Sequence, residues 1–400
     1  MKPNACLTVM AVLLIAGVTV ASAGWTEVAP VPLDPSGRQV KHGGWLVYND
    51  DNGMVYAAKG YKTSDFYSYD PGEDSWVALK PIPNGTEGKP PKRGCRGAWD
   101  GDSYIYMTKG NNTLGFWRYD ISQNTWTQMP DVPLGKWHKK VKGGTDMVFA
   151  ELEGDGYVYL LKGYKQDFMR FNVDGDSWET LADAPKGKRP KWAKGSWLVY
   201  FDHGDDTTLF AHKAKYGELW TYDLAEDTWA SSYVPGIPRQ SGLTGKKKKP
   251  GEGSGAALYD GDIYTTKGGN TCEFWMFDPA IPVWAELDTI PQIGSTGRKK
   301  RVKHGGDLVS TGEGVFYALK GKKTCEFYKY TPPARVQARR PGGIAGVGTL
   351  RLDLRGANRV SVFDANGRLV GSDTELRSGV YLVRAEFGDN TRYYRYVVAR

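Results

Sequence analysis

VYAAKGYKTSDFYSYD, Val55–Asp70, decides the fold: an aromatic-aliphatic run ends in Lys-Gly, and a second aromatic run follows within a few residues. The pattern returns as IYMTKGNNTLGFWRYD (Ile105–Asp120) and as VYLLKGYKQDFMRFN from Val158. Three further copies are LFAHKAKYGELWTYD from Leu209, IYTTKGGNTCEFWMFD from Ile263 and FYALKGKKTCEFYKYT from Phe316. Short aromatic and β-branched runs of this kind are strand signals rather than helix signals. The copies recur about every fifty residues, the length of one four-stranded propeller blade.

Working outward from the first copy, Trp45–Asn49 reads as strand a, Met54–Lys59 as b, Phe66–Tyr69 as c and Trp76–Leu79 as d. Asn52-Gly53, Asp100-Gly101, Asp155-Gly156 and Asp260-Gly261 make the a–b turns, since both residue types accept positive φ. A Trp opens strand d at Trp76, Trp126, Trp178, Trp229 and Trp284, and Pro83, Pro133, Pro185, Pro238 and Pro291 follow near the strand ends. The sixth repeat runs into Thr331-Pro332-Pro333 without such a strand, while GWTEVAPVP (Gly24–Pro32) matches SWVALKPIP (Ser75–Pro83). The N-terminal segment is therefore expected to supply strand d of the last blade, because a radial array must not leave an open sheet edge. The expected class is all-β: a six-bladed β-propeller closed by its N-terminal strand, then a small β-sandwich-like C-terminal module.

The aromatic strand b with its terminal glycine, Tyr in strand c and Trp in strand d resemble the kelch family of β-propellers over Gly24–Thr331. One departure is systematic. The paired glycines of that family stand here as Lys-Gly, or Lys213-Ala214 in the fourth repeat, so the family's ordinary partners do not carry over.

Residues 1–23 read as a secretory signal: Lys2, the apolar run Leu7–Val20 and the small-x-small site Ala21-Ser22-Ala23. No span of the mature chain is long and apolar enough to be read as a membrane helix. Residues 332–348, rich in Pro, Gly and Arg, read as a linker, and 349–400 as a separate β module. Within it, VSVFDANGRLV and LRSGVYLVR, with Asp364, Gly367-Arg368 and Gly379-Val380-Tyr381, closely resemble the C-terminal sorting domain (Por type A) of type IX secretion passengers. That resemblance implies recognition by the outer-membrane secretion machinery and a secreted or cell-surface location on a Gram-negative-type bacterium. Cys272 and Cys325 fall at one position of adjacent repeats, too far apart for a bridge, so free or packed thiols are expected.

The formal charge is +8 and the pI about 9.0, but distribution says more than total. In a radial meander the b–c loops and d–a connections share one face. The d–a connections carry Lys89, Lys92, Arg93 and Arg96, then Lys136–Lys142, Lys186–Lys194, Lys246–Lys249 and Arg298–Lys303, with Arg38 and Lys41 at the closure. Acids such as Asp50, Asp51, Asp102, Glu151 and Glu226 fall on the other face. Six lysines in register, Lys59, Lys109, Lys162, Lys213, Lys267 and Lys320, are expected to ring the channel mouth, with Trp137 and Trp192 among the basic loops. A solvated charged face, and inter-blade packing of the aromatics, are the alternatives.

Catalytic signatures are lacking: no G-x-S-x-G elbow and no P-loop occur. No cofactor or metal site is expected, although Val-Lys-His at both His42 and His304 leaves a shared metal as an alternative, and the acidic turns leave calcium. The expectation is a non-enzymatic binding or adhesion protein whose basic face engages an anionic polysaccharide. A protein–protein interaction scaffold and a polysaccharide-active enzyme are the alternatives.

Overall fold

The computed structural model describes residues 24–203, 206–280 and 282–332, and the backbone of four C-terminal strands, Arg359–Asp364, Leu369–Gly371, Gly379–Phe387 and Asn390–Val398. The expected leader, residues 1–23, and the expected linker from 333 onward lie outside the described residues. No helix occurs among the described residues.

Six four-stranded antiparallel units form the propeller. Blade 1 runs Trp45–Asn49, Met54–Ala58, Phe66–Asp70 and Ser75–Ala78, and blade 2 runs Cys95–Trp99, Tyr104–Lys109, Phe116–Asp120 and Thr125–Met129. Blade 3 is Asp146–Leu152, Asp155–Leu161, Phe168–Asn172 and Ser177–Thr180. Blade 4 is Trp197–His203, Asp206–Lys213, Glu218–Asp223 and Thr228–Trp229, with Val234–Pro235 added beside its third strand. Blade 5 is Ala256–Tyr259, Asp262–Thr266, Phe274–Asp278 and Val283–Leu287. Blade 6 takes Asp307–Ser310, Phe316–Leu319 and Phe327–Thr331 from the end of the propeller and its outer strand, Gly24–Val28, from the start of the chain. Gly24 pairs with Thr331 and Val28 with Phe327, so the N-terminal strand closes the ring as its sequence match with Ser75–Pro83 predicts. The C-terminal strands form a separate antiparallel sheet in the order Leu369–Gly371, Arg359–Asp364, Gly379–Phe387, Asn390–Val398.

One apolar cluster fills each gap between neighbouring blades. Trp45 and Met107 meet between blades 1 and 2, Phe116 and Val158 between 2 and 3, and Tyr159 and Leu198 between 3 and 4. Trp197 and Phe277, Tyr264 and Phe316, and Tyr317 and Tyr69 fill the remaining three. Each such buried side chain contributes about 1.5–3 kcal/mol of apolar burial.

The strand d tryptophans have a second job. Each ring nitrogen donates to a carbonyl that follows strand d of the preceding blade: Trp76 to Ala29 (2.8 Å), Trp126 to Lys80 (2.9 Å), Trp178 to Pro130 (2.9 Å), Trp229 to Ala182 (3.1 Å) and, in the added strand of blade 4, Trp284 to Pro235 (2.8 Å). Trp25 of the closing strand makes the sixth bond, to Asp288 O at 2.9 Å. The repeated Trp thus links blade to blade around the whole ring, closure included.

Candidate functional site

The six in-register lysines do not ring the channel. Each is at most 2 % exposed, because strand b ends between two blades rather than at the surface. Lys59 lies 2.5 Å from Asp65 and donates to Pro32 O and Leu33 O at 2.9 and 2.7 Å. Lys267 lies 2.5 Å from Glu273 and donates to Arg239 O at 2.9 Å, and Lys320 pairs with Glu326. Lys162 and Lys213 sit 3.9 Å from Asp167 and Glu218 and donate to Pro133, Leu134, Pro185 and Lys186 carbonyls at 2.6–2.7 Å. Blade 2 has Gly115 where the others carry the acid, and Lys109 uses Asn84 O and the Trp117 ring instead. Burial, opposed by Asp167 and Glu218, pulls Lys162 and Lys213 down to about 8 each. These lysines are inter-blade pins, and their fold role corrects the expected anion ring.

Trp192 is corrected likewise: it is fully buried in the cluster between blades 3 and 4 with the Lys213 ammonium 4.9 Å from its ring centre. Trp137 is half-buried beside Lys136 and is not among the residues lining the axial cavity. No disulfide joins Cys95, Cys272 and Cys325.

A different ring faces the axis. In each blade, one to three residues before strand a, a glycine takes positive φ: Gly43, Gly94, Gly144, Gly195, Gly253 and Gly305, at 82° to 104°. The conformation and the spacing both demand glycine. A Cβ on Gly305 would lie 2.0 Å from Lys41 O, and one on Gly253 would lie 2.4 Å from Lys303 O. The residues just before these glycines therefore converge: His42, Arg93, Gly143, Lys194, Glu252 and His304. Backbone bonds from the b–c loops hold several of them, including Tyr61 N to His42 O (3.0 Å), Asn111 N to Arg93 O (2.9 Å) and Lys322 N to His304 O (2.9 Å).

Above this ring opens an axial cavity of about 770 Å³, walled by blades 2 to 6. Among the described residues its cations are Lys92, Arg93, Lys142, Lys191, Lys194, Lys215, Lys249 and Lys303, and its one carboxylate is Glu252. Among the described residues Arg93 alone of these eight has a carboxylate partner, Glu252 at 3.2 Å. Burial, opposed by Glu252 and reinforced by Arg93, Lys191 and Lys215, lowers the pKa of Lys194. Tyr164 completes the wall between Lys142 and Lys191, whose ammonium groups lie 4.2 and 4.6 Å from its ring centre.

At the cavity floor Glu252 Oε1 meets His42 Nδ1 at 2.8 Å and Oε2 meets His304 Nδ1 at 2.7 Å. Although burial opposes ionisation, the His304 and His42 contacts hold the Glu252 carboxyl well below the usual carboxylate range. Burial lowers His42, outweighing the hydrogen bond to Glu252. Arg93 Nη2, which can only donate, lies 2.8 Å from His42 Nε2. His42 is thus neutral with its proton on Nδ1, donated to Glu252.

His42, Glu252 and His304 offer atoms within 4.8 Å of one another, a two-histidine, one-carboxylate set suited to a transition-metal ion. A metal on His42 Nδ1 would move the ring proton to Nε2, donor against donor with Arg93. The cluster as built carries protons, and a metal would first require Arg93 to leave His42. Deeper still, Arg96 of blade 2 spans the axis to Asp146 of blade 3 (3.1 Å) and Asp307 of blade 6 (3.2 Å). Burial, countered by Arg96, pushes Asp146 up to about 7.

The sequence places the basic d–a connections on the correct face but misses which of their residues reach the axis. The available signal was the residue before the in-register glycine. The lysine pins also had a signal, an acid five or six residues after the lysine in five of the six repeats: Asp65, Asp167, Glu218, Glu273 and Glu326.

No family model matches the chain, and no curated protein matches it. Among solved structures it is similar to YjhT, with 14 % identity and a TM-score of 0.47 over 76 % of this chain and 94 % of that one. It is also similar to a protein of unknown function from Bacteroides thetaiotaomicron, with 16 % identity and a TM-score of 0.51 over 78 % of this chain and 76 % of that one. At these identities the second likeness concerns the fold alone, a six-bladed β-propeller, and says nothing of function.

Proposed function

We propose that this is a binding protein whose basic face takes an anionic polymer, an acidic polysaccharide, with the acid groups entering the axial cavity. One observation carries the reading. Five of the six lysines buried between blades face a carboxylate and the sixth, Lys109, a carbonyl and a ring, while the seven lysines of the cavity wall are left without a carboxylate partner among the described residues. Like charges held together around a concavity focus field and raise the local concentration of anions. Lysine suits diffuse carboxylate or sulfate groups better than one planar fork.

The reading is non-catalytic: among the described residues the wall bears a single carboxylate, both of whose oxygens are engaged by His42, Arg93 and His304, and no carboxylate pair for glycoside hydrolysis lines it. It also sets the protein outside the cell, on the strength of the leader-like residues 1–23 and the sorting-domain resemblance near the C-terminus.

Titration calorimetry with dextran sulfate and neutral dextran tests it. Binding of the sulfated polymer alone is expected, with log K falling linearly against log salt. Lys142→Gln/Lys191→Gln/Lys194→Gln should weaken it by roughly tenfold or more. Equal affinity for neutral dextran, or an unchanged affinity in the triple variant, would overturn the reading.

A further inference from the structure

Tyr61 and Tyr164 stand at one position of the repeat, the second residue after the buried strand b lysine, in Lys59-Gly60-Tyr61 and Lys162-Gly163-Tyr164. Both take left-handed backbone, φ 59° and 63°. The fold places Asn111, Lys215, Gly269 and Lys322 at this position in the other four blades, all with positive φ. Asn and Gly take that backbone easily whereas Tyr and Lys do not, so the turn by itself does not call for a tyrosine ring.

Neither ring joins an apolar cluster or stacks on another aromatic ring, and neither hydroxyl has a hydrogen-bond partner among the described residues. What surrounds them is positive charge. Lys142 and Lys191 flank Tyr164. Lys41, Arg38 and Lys323 lie 4.8, 5.6 and 6.0 Å from the Tyr61 ring centre, and Arg38 also donates to Tyr61 O at 3.1 Å. Tyr164 lines the axial cavity and Tyr61 does not. The same built unit, an aromatic ring among unneutralised cations, therefore occurs twice, two blades apart, once inside the cavity and once outside it.

We propose that Tyr61 with Arg38, Lys41 and Lys323 is a second subsite, taking a further acidic sugar unit of a chain whose other end occupies the cavity beside Tyr164. This rests on the anionic-polymer reading and adds that the ligand carries rings and outreaches the cavity. The aromatic face accepts the C–H face of a sugar ring, and the cations take its carboxylate. A polyphosphate chain matches the charge but offers nothing to the ring.

Calorimetry with galacturonate disaccharide, a long oligogalacturonate and long-chain polyphosphate separates the outcomes. Tyr61→Gly, the residue blade 5 already carries at this position, relieves backbone strain and so keeps the fold. It is expected to lose roughly tenfold affinity for the long oligogalacturonate, and none for the disaccharide or polyphosphate. Tyr61→Phe should bind as the parent does, and Tyr164→Ala should weaken both sugar ligands. Unchanged binding of the long oligomer by Tyr61→Gly overturns the subsite, and an equal loss for polyphosphate overturns ring recognition, leaving Tyr61 only a support for its lysines. A parent protein that binds none of the three ligands overturns the anionic-polymer reading itself.

Discussion

Glu252 Oε1 lies 2.8 Å from Nδ1 of His42, 210 residues away in the chain, and the same carboxylate reaches His304 at 2.7 Å. Three blades thereby share one anion at the floor of a cavity whose other charged wall residues, among those described, are cations. Glu252→Gln removes the only carboxylate there, so polyanion affinity is expected to rise about fivefold while thermal stability falls. Calorimetry and a melting curve read the two effects separately. A fall in polyanion affinity in the folded variant would mean that Glu252 itself assists the ligand.

The Lys213–Glu218 pair is fully buried. Lys213→Met strands the Glu218 carboxylate and is expected to cost about 3–5 kcal/mol in urea denaturation. Lys213→Met/Glu218→Gln should cost less than the single change, since no unpaired charge remains buried. A double variant as unstable as the sum of both singles would show that the pair has no coupling.

Gly305 and Gly312 both take positive φ, 82° and 78°, but their surroundings differ. A methyl carbon on Gly305 would stand 2.0 Å from Lys41 O, whereas one on Gly312 would stand in open space. Gly312→Ala should cost about 1 kcal/mol, the conformational penalty alone. Gly305→Ala should cost more than about 3 kcal/mol, because the blade 6 and blade 1 backbones must also separate. Chemical denaturation of the two variants compares them directly.

Asp146 titrates near 7 when folded against 3.8 for the free group, with burial as the main cause. A raised acid binds its proton more tightly in the folded state. Its contribution is therefore fully present below about pH 4 and is lost as pH rises through about 7. Asp146→Asn should flatten the pH dependence of stability across that interval. Lys162 and Lys213 behave in the opposite sense: their folded pKa near 8 lies below the free value of 10.5, so stability should rise with pH between about 8 and 10. Urea midpoints measured across pH report both.

Much of the propeller was legible because repetition amplifies weak local signals. A single Trp or Asp-Gly says little, but Trp76, Trp126, Trp178, Trp229 and Trp284 in register mark strand d, and the stray Trp25 shows where the sixth copy is supplied. The same repetition misled the reading of the lysines. Lys59 and its equivalents looked like a surface ring because a charge at a strand end is usually solvated, and burial is a property of the gap between two blades.

Alternation of strands, spacing of turns and the N-terminal match to Ser75–Pro83 determined the architecture, since each is set by neighbours along the chain and by the need to leave no open edge. Only the tertiary structure decided which cations are spent and which are free. Lys213 meets Glu218 and two carbonyls between blades, whereas Lys194 is brought beside Arg93, Lys191 and Lys215 around the axis. Those encounters join residues from different blades, and their distances follow from how six sheets pack around one axis rather than from any local pattern.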